Sequence, residues 1–135
     1  MKTLSIVFSA LLVASCATGF NPRFYYTTIE VANLSGSDIS NVEVQVGTDG
    51  RNLRCDTVVN NAICQERSGK RPYPTEQGVR LSWVDGDGNS QSQQLQPSLP
   101  ATMSSGIPVQ VMMDINADGS VRAWFRQDTL RPSSR

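Results

Sequence analysis

Along residues 24–126 the apolar positions recur with period two rather than 3.6, and β-branched and aromatic residues fall between short polar turns, the pattern of half-buried strands. Tyr25–Leu34 and Ile39–Val46 are the clearest cases. In the second, Val42, Val44 and Val46 share one face while Glu43 and Gln45 share the other. Residues 53–59 and 62–65 read as a hairpin around Asn60-Asn61, a pair that tolerates the positive φ of tight turns. A polar loop over 66–77, with two prolines, precedes a strand at Val79–Val84, and Asp85-Gly86-Asp87-Gly88 turns the chain into Ser90–Leu95. After a long connection over 97–106, residues 107–115 and 120–126 form a last hairpin across Asn116-Ala117-Asp118-Gly119. No stretch after the amino terminus sustains helical periodicity, and no internal repeat is evident.

Seven or eight short strands separated by turns predict an all-β chain: a single small β-sandwich of immunoglobulin-like or transthyretin-like type, its strand order left open. The sandwich is expected over 24–126. Residues 127–135 lack apolar mass and read as a flexible tail. Ahead of the sandwich, Gly19 and Pro22 make 16–23 a short tether.

The first fifteen residues follow another pattern. A basic Lys2, an apolar run from Leu4 to Val13 and the small residues Ala14-Ser15 have the layout of a secretory signal, and the run is shorter than the roughly 20 residues a helix needs to cross a bilayer. Val13-Ala14-Ser15-Cys16 resembles the lipobox of bacterial lipoproteins. The resemblance implies that 1–15 is cleaved, that Cys16 becomes the first residue, and that its thiol carries a diacylglycerol and its amine an acyl chain. Two or more chains make such an anchor stable, whereas one holds only marginally. Ala17 follows Cys16, where an Asp would favour retention in the inner membrane of enteric-type bacteria; the resemblance therefore implies the outer membrane, with the tether holding the domain within about 20 Å of it.

Composition narrows the remainder. The 12 basic and 12 acidic residues of the 135 balance, so no net field suggests nucleic acid as a partner. With Cys16 assigned to lipid, Cys55 and Cys64 remain as an even pair in an exported chain, and an oxidising compartment makes a disulfide the default. Their spacing is not CxxC, and the chain has no histidine to complete a zinc site.

The same lack of histidine removes the commonest general base, and neither GxSxG nor SxxK occurs, so no catalytic residues, cofactor or enzyme activity are expected. Asp114, Asn116 and Asp118 with Gly119 match the first half of a calcium-loop pattern, but Phe125 stands where the closing glutamate belongs. A hairpin turn explains the same residues without metal. Candidate partner contacts are Arg67, Lys70, Arg71 and Tyr73 in the 66–77 loop, together with Arg122, Trp124 and Arg126; arginine and aromatic residues are favoured at protein contacts. Trp124 alternates with Val121, Ala123 and Phe125, which places it on the outer side of its strand with the two arginines. The leading expectation is a lipid-anchored, non-catalytic binding or scaffolding module facing the periplasm and meeting an envelope protein of a secretion or envelope system. The alternatives are an inhibitor of a hydrolase such as lysozyme, with 66–77 as the plugging loop, and a calcium-dependent binding domain.

Overall fold

The computed structural model describes residues 24–48, 52–99 and 106–127. The lipidation candidate Cys16, the signal, the tether and residues 128–135 lie outside them. Eight strands follow one another: β1 (Tyr25–Leu34), β2 (Ile39–Val46), β3 (Leu53–Val58), β4 (Ile63–Pro72), β5 (Val79–Val84), β6 (Ser90–Leu95), β7 (Val109–Asn116) and β8 (Val121–Gln127). They form two four-stranded sheets, ordered β4-β1-β7-β8 and β3-β2-β5-β6, so the chain is a small β-sandwich. Every pairing is antiparallel except β1 with β7. An immunoglobulin domain pairs its first two strands within one sheet. Here β1 and β2 lie in opposite sheets, which leaves the transthyretin-like arrangement of the two expected.

Period-two burial builds the interior. Val42, Val44 and Val46 of β2, Val79, Leu81 and Trp83 of β5, and Ile29 and Val31 of β1 meet Val109, Val111, Met113 and Ile115 of β7 in one core. Burying a Val, Leu or Ile side chain of this kind contributes about 1.5–3 kcal/mol.

Two expectations are corrected. Residues 53–65 are no hairpin, because β3 pairs with β2 in one sheet and β4 pairs with β1 in the other. The Asn60-Asn61 corner is bonded to the end of β1 and to the β1–β2 connection instead. Asn61 N donates to Asn33 O at 2.8 Å, Asn33 N donates to Ala62 O at 2.9 Å, and Gly36 N donates to Asn60 Oδ1 at 3.1 Å. Cys55 is in register with Val42 and Cys64 with Val31, both inward-facing, and the disulfide between them joins the two sheets along the β3/β4 flank. The polar loop is also shorter than expected. Residues 66–72 continue β4, bonded to β1 across an irregularity between Tyr26 and Thr28, and only 73–78 turns. Beyond Gln65 this edge strand carries polar side chains on both faces, so no apolar alternation is there for a sequence pattern to detect.

Two buried asparagines fix the ends of the sandwich. At one end the Asn33 amide donates to Val58 O (2.9 Å) and Ser37 O (2.7 Å), while its Oδ1 accepts from Ser35 N and Ser35 Oγ. At the other, Asn52 Oδ1 accepts from Val46 N (2.7 Å) and its amide donates to Tyr26 Oη (3.1 Å), tying one sheet to the other. Buried polar side chains persist where their hydrogen bonds are satisfied, and both are.

Candidate functional site

Strand alternation and register lay out the outer face of the β4-β1-β7-β8 sheet in three rows. Ile63, Ala32, Asp114 and Arg122 form one; Gln65, Glu30, Met112 and Trp124 the next; Arg67, Thr28, Gln110 and Arg126 the third. The inner faces of β7 and β8 belong to the core, so Arg122, Trp124 and Arg126 point outward, as their alternation with Val121, Ala123 and Phe125 implies. The Arg122 guanidinium lies 4.6 Å from the centre of the Trp124 ring, a cation–π contact that holds the indole half-exposed. Beneath this rim, Thr28 and Met112 are 3% and 6% exposed although they sit on the outward side. Met112 is not part of the central core. Ile63, at the β4 edge of the same face, is 57% exposed.

Charge on the face is mixed and paired by register. Asp114 stands opposite Arg122; burial pushes its carboxyl above the usual range, and the guanidinium offsets part of that rise. Arg67 and Arg126 share a row at opposite edges of the sheet. Lys70 and Arg71 lie further along β4, and Arg71 borders a cleft of about 330 Å³ with Tyr26, Asn52 and Pro74 at the end of the sandwich. The structure thus brings Arg122, Trp124 and Arg126 onto one face with Arg67 across it.

Tyr73 departs from the expected group. It is 7% exposed and packs edge-on against Phe125 (4.8 Å between ring centres) and Tyr26 (6.3 Å). It is a core residue, and it offers no surface to a partner. Its hydroxyl is buried with no hydrogen-bond partner, and burial pushes its pKa up to about 12.

At the opposite end the two Asp-Gly turns converge, which the linear sequence does not reveal. Asp85, Asp87, Asp118, Ser35 and Ser37 surround a cleft of about 450 Å³ floored by Trp83 and Ile115. Its carboxylates are engaged in their own turns. Asp85 accepts from Asn89 N, Asp87 N and the Gln91 amide, and Asp118 accepts from Ser120 N and Ser120 Oγ; these bonds hold both carboxyls below their ordinary values. Asp114 faces Arg122 on the outer face of the sheet, apart from Asp118. Among the described residues no group of three or more His, Cys, Asp or Glu side chains is placed to hold a metal ion.

The fold defines the class, a small disulfide-linked β-sandwich. No protein-family model matches the chain, and no curated protein matches it. Among solved structures it is similar to the NMR structure of a protein from Eubacterium rectale, at 11% identity and a TM-score of 0.48, over 78% of this chain and 92% of that one.

Proposed function

We propose that the chain is an outer-membrane lipoprotein anchored through Cys16 and facing the periplasm, whose sandwich is a non-catalytic binding or scaffolding module of an envelope or secretion system. The observation that carries this reading is Val13-Ala14-Ser15-Cys16 placed directly behind a short apolar run. A disulfide between the remaining cysteines agrees with an exported chain. The contact surface in this reading is the outer face around Trp124, where a half-exposed indole is held by Arg122 beside Arg126, with Arg67 on the far edge; tryptophan and arginine are the residues most often central to protein contacts. The hydrolase-inhibitor alternative loses its motive, because most of the loop that would plug an active site is the edge strand β4. The calcium alternative likewise loses Asp114 to the opposite Arg122.

The test has two parts. Mass spectrometry of the membrane-extracted protein should find the amino terminus at Cys16 with diacylglycerol and acyl mass, and Cys16→Ser should release the chain from the membrane; an unmodified Cys16 would overturn the anchor. In-cell crosslinking of the acylated protein should recover components of one envelope assembly, with recovery reduced by Trp124→Ala. Undiminished recovery in that variant would remove the proposed face.

A further inference from the structure

The four sheet edges are not alike. Unpaired edge strands invite addition of another strand, and proteins guard them with charge, proline or bulges. Edge β4 carries Arg67, Lys70 and Arg71, ends at Pro72 and pairs irregularly with its neighbour; β3 exposes Arg54 and Asp56; β8 exposes Arg122 and Arg126. Edge β6 has none of these. From Gly88 to Leu99 there is no charged residue, the strand itself holds no proline, and its register with β5 runs unbroken from Val84↔Ser90 to Val79↔Leu95.

The geometry points to β6 as a self-association edge, where a second copy of this chain adds its own β6 antiparallel about a two-fold axis at Ser92. In an antiparallel pair each residue turns both its N–H and its C=O to one side, and successive residues alternate. Asp85 N donates to Asn89 O, so Gln91, Gln93 and Leu95 turn toward β5, while Ser90, Ser92 and Gln94 present their backbone groups to the side on which no strand pairs among the described residues. A two-fold axis at Ser92 sets Ser92 against its own copy and Ser90 against Gln94 of the copy. Those are the residues with backbone groups on offer, and they give about six new hydrogen bonds. The register also keeps Gln91, Gln93 and Leu95 on the core side in both copies.

Charge selects this occupant. In a self-paired strand every residue meets its own sequence, so charged residues would meet like charges, which destabilises directly opposed positions. The uncharged Ser-Gln-Ser-Gln-Gln edge escapes that penalty. The strand is also held in place before pairing: Gln91 donates to Asp85 Oδ2 (3.0 Å), Gln93 to Gly119 O (3.0 Å) and Gln94 to Gln77 O (2.7 Å), so little ordering remains to be done on association. Because both copies use the same edge and the other three are guarded, assembly closes at a dimer. The contact is smaller than the roughly 1,200 Å² of a standard interface, so association is weak in dilute solution and favoured where chains are concentrated. It does not depend on the lipid anchor.

The test uses single cysteines in the full chain, with the unsubstituted protein as the baseline for Cys16. Ser92→Cys should form an intermolecular disulfide under mild oxidation, because directly hydrogen-bonded antiparallel pairs have Cα atoms about 5.5 Å apart, within the range a disulfide spans. Gln94→Cys alone, offset from its own copy, should stay at baseline. In sedimentation, the unsubstituted chain should move toward twice the monomer mass as its concentration rises from micromolar to millimolar, and Ser92→Lys should remain monomeric with an unchanged melting temperature. Equal crosslinking at both positions, crosslinking at neither, or a dimer that survives Ser92→Lys would overturn the proposal.

Discussion

Replacing Tyr73 by Phe should stabilise the protein. The ring is 7% exposed and makes edge-on contacts to Tyr26 and Phe125, which phenylalanine keeps; what it removes is a buried hydroxyl with no hydrogen-bond partner. A buried polar group left unsatisfied costs about 1–3 kcal/mol, so Tyr73→Phe should gain roughly that amount. For a domain of this size the gain corresponds to a melting temperature higher by about 4–8 °C per kcal/mol. A second readout comes from alkaline pH. Tyr73 has an ordinary value of 10.0, raised to about 12 by burial. Below pH 10 both folded and unfolded chains keep the phenol neutral and the group contributes no pH dependence. Between 10 and 12 the unfolded chain loses the proton first, so stability falls, by roughly 2 kcal/mol at about 1.4 kcal/mol per unit. Denaturant unfolding of both proteins at pH 8, 10 and 12 would measure this, since other tyrosines and Lys70 cancel in the difference. A Tyr73→Phe variant that is less stable at pH 8 would show that the hydroxyl has a partner, and one that retains the same alkaline loss would show that burial does not raise the pKa of Tyr73.

Four further perturbations follow from the packing. Asn33→Ala removes four side-chain hydrogen bonds, one of them to Val58 O in the opposite sheet, so chemical denaturation should show a loss of about 2–4 kcal/mol. Cys55→Ala with Cys64→Ala opens a loop of sequence separation 9 and should cost about 2–3 kcal/mol by the chain-entropy relation, read as a lower denaturation midpoint that reductant no longer shifts. Gly78→Ala combines a φ of +68° with a Cβ that would overlap Leu95 O; it should cost more than about 2 kcal/mol, and exchange of the β5 and β6 amides should accelerate. Trp83→Ala, in the core, should lose about 3–5 kcal/mol, whereas Trp124→Ala should lose far less because its ring is half-exposed; comparable melting temperatures for the two would refute the outward placement of Trp124.

The limits of sequence reading follow from which physical signal each element carries. Strands β1, β2, β5 and β6 are legible to the residue, because each sits between strong turn residues and, apart from β6, shows one apolar face. The outward placement of Trp124, Arg122 and Arg126 is legible for the same reason: alternation alone decides it. Strand β4 is invisible beyond Gln65, since an edge strand with both faces polar looks like a loop. Tyr73 is misplaced with it, because a lone aromatic between two prolines says nothing of whether it points in or out. The false hairpin at 53–65 has another cause. Asn60-Asn61 specifies a sharp turn, and Asn61 does adopt a φ of 64°, but a turn does not say whether the chain returns within its own sheet or crosses to the other.

That crossing is decided by polar groups, not by the apolar pattern. Every strand of the core has one inward face, so hydrophobic burial alone is satisfied by many strand orders. What distinguishes this order is the set of bonds that would go unmade in another: the Asn33 amide reaching Val58 O in the opposite sheet, Asn61 N bonded to Asn33 O, and the disulfide facing inward from both layers. All three lie on the β3/β4 flank, which they lock. The β6/β8 flank has no covalent tie among the described residues and is joined by weaker links such as the Gln93 amide to Gly119 O. The two proposed surfaces differ in kind, since the Trp124 face offers side chains and the β6 edge offers backbone. The two surfaces respond to different substitutions: Trp124→Ala should leave an association through β6 intact, and Ser92→Lys should leave partner capture at the Trp124 face intact.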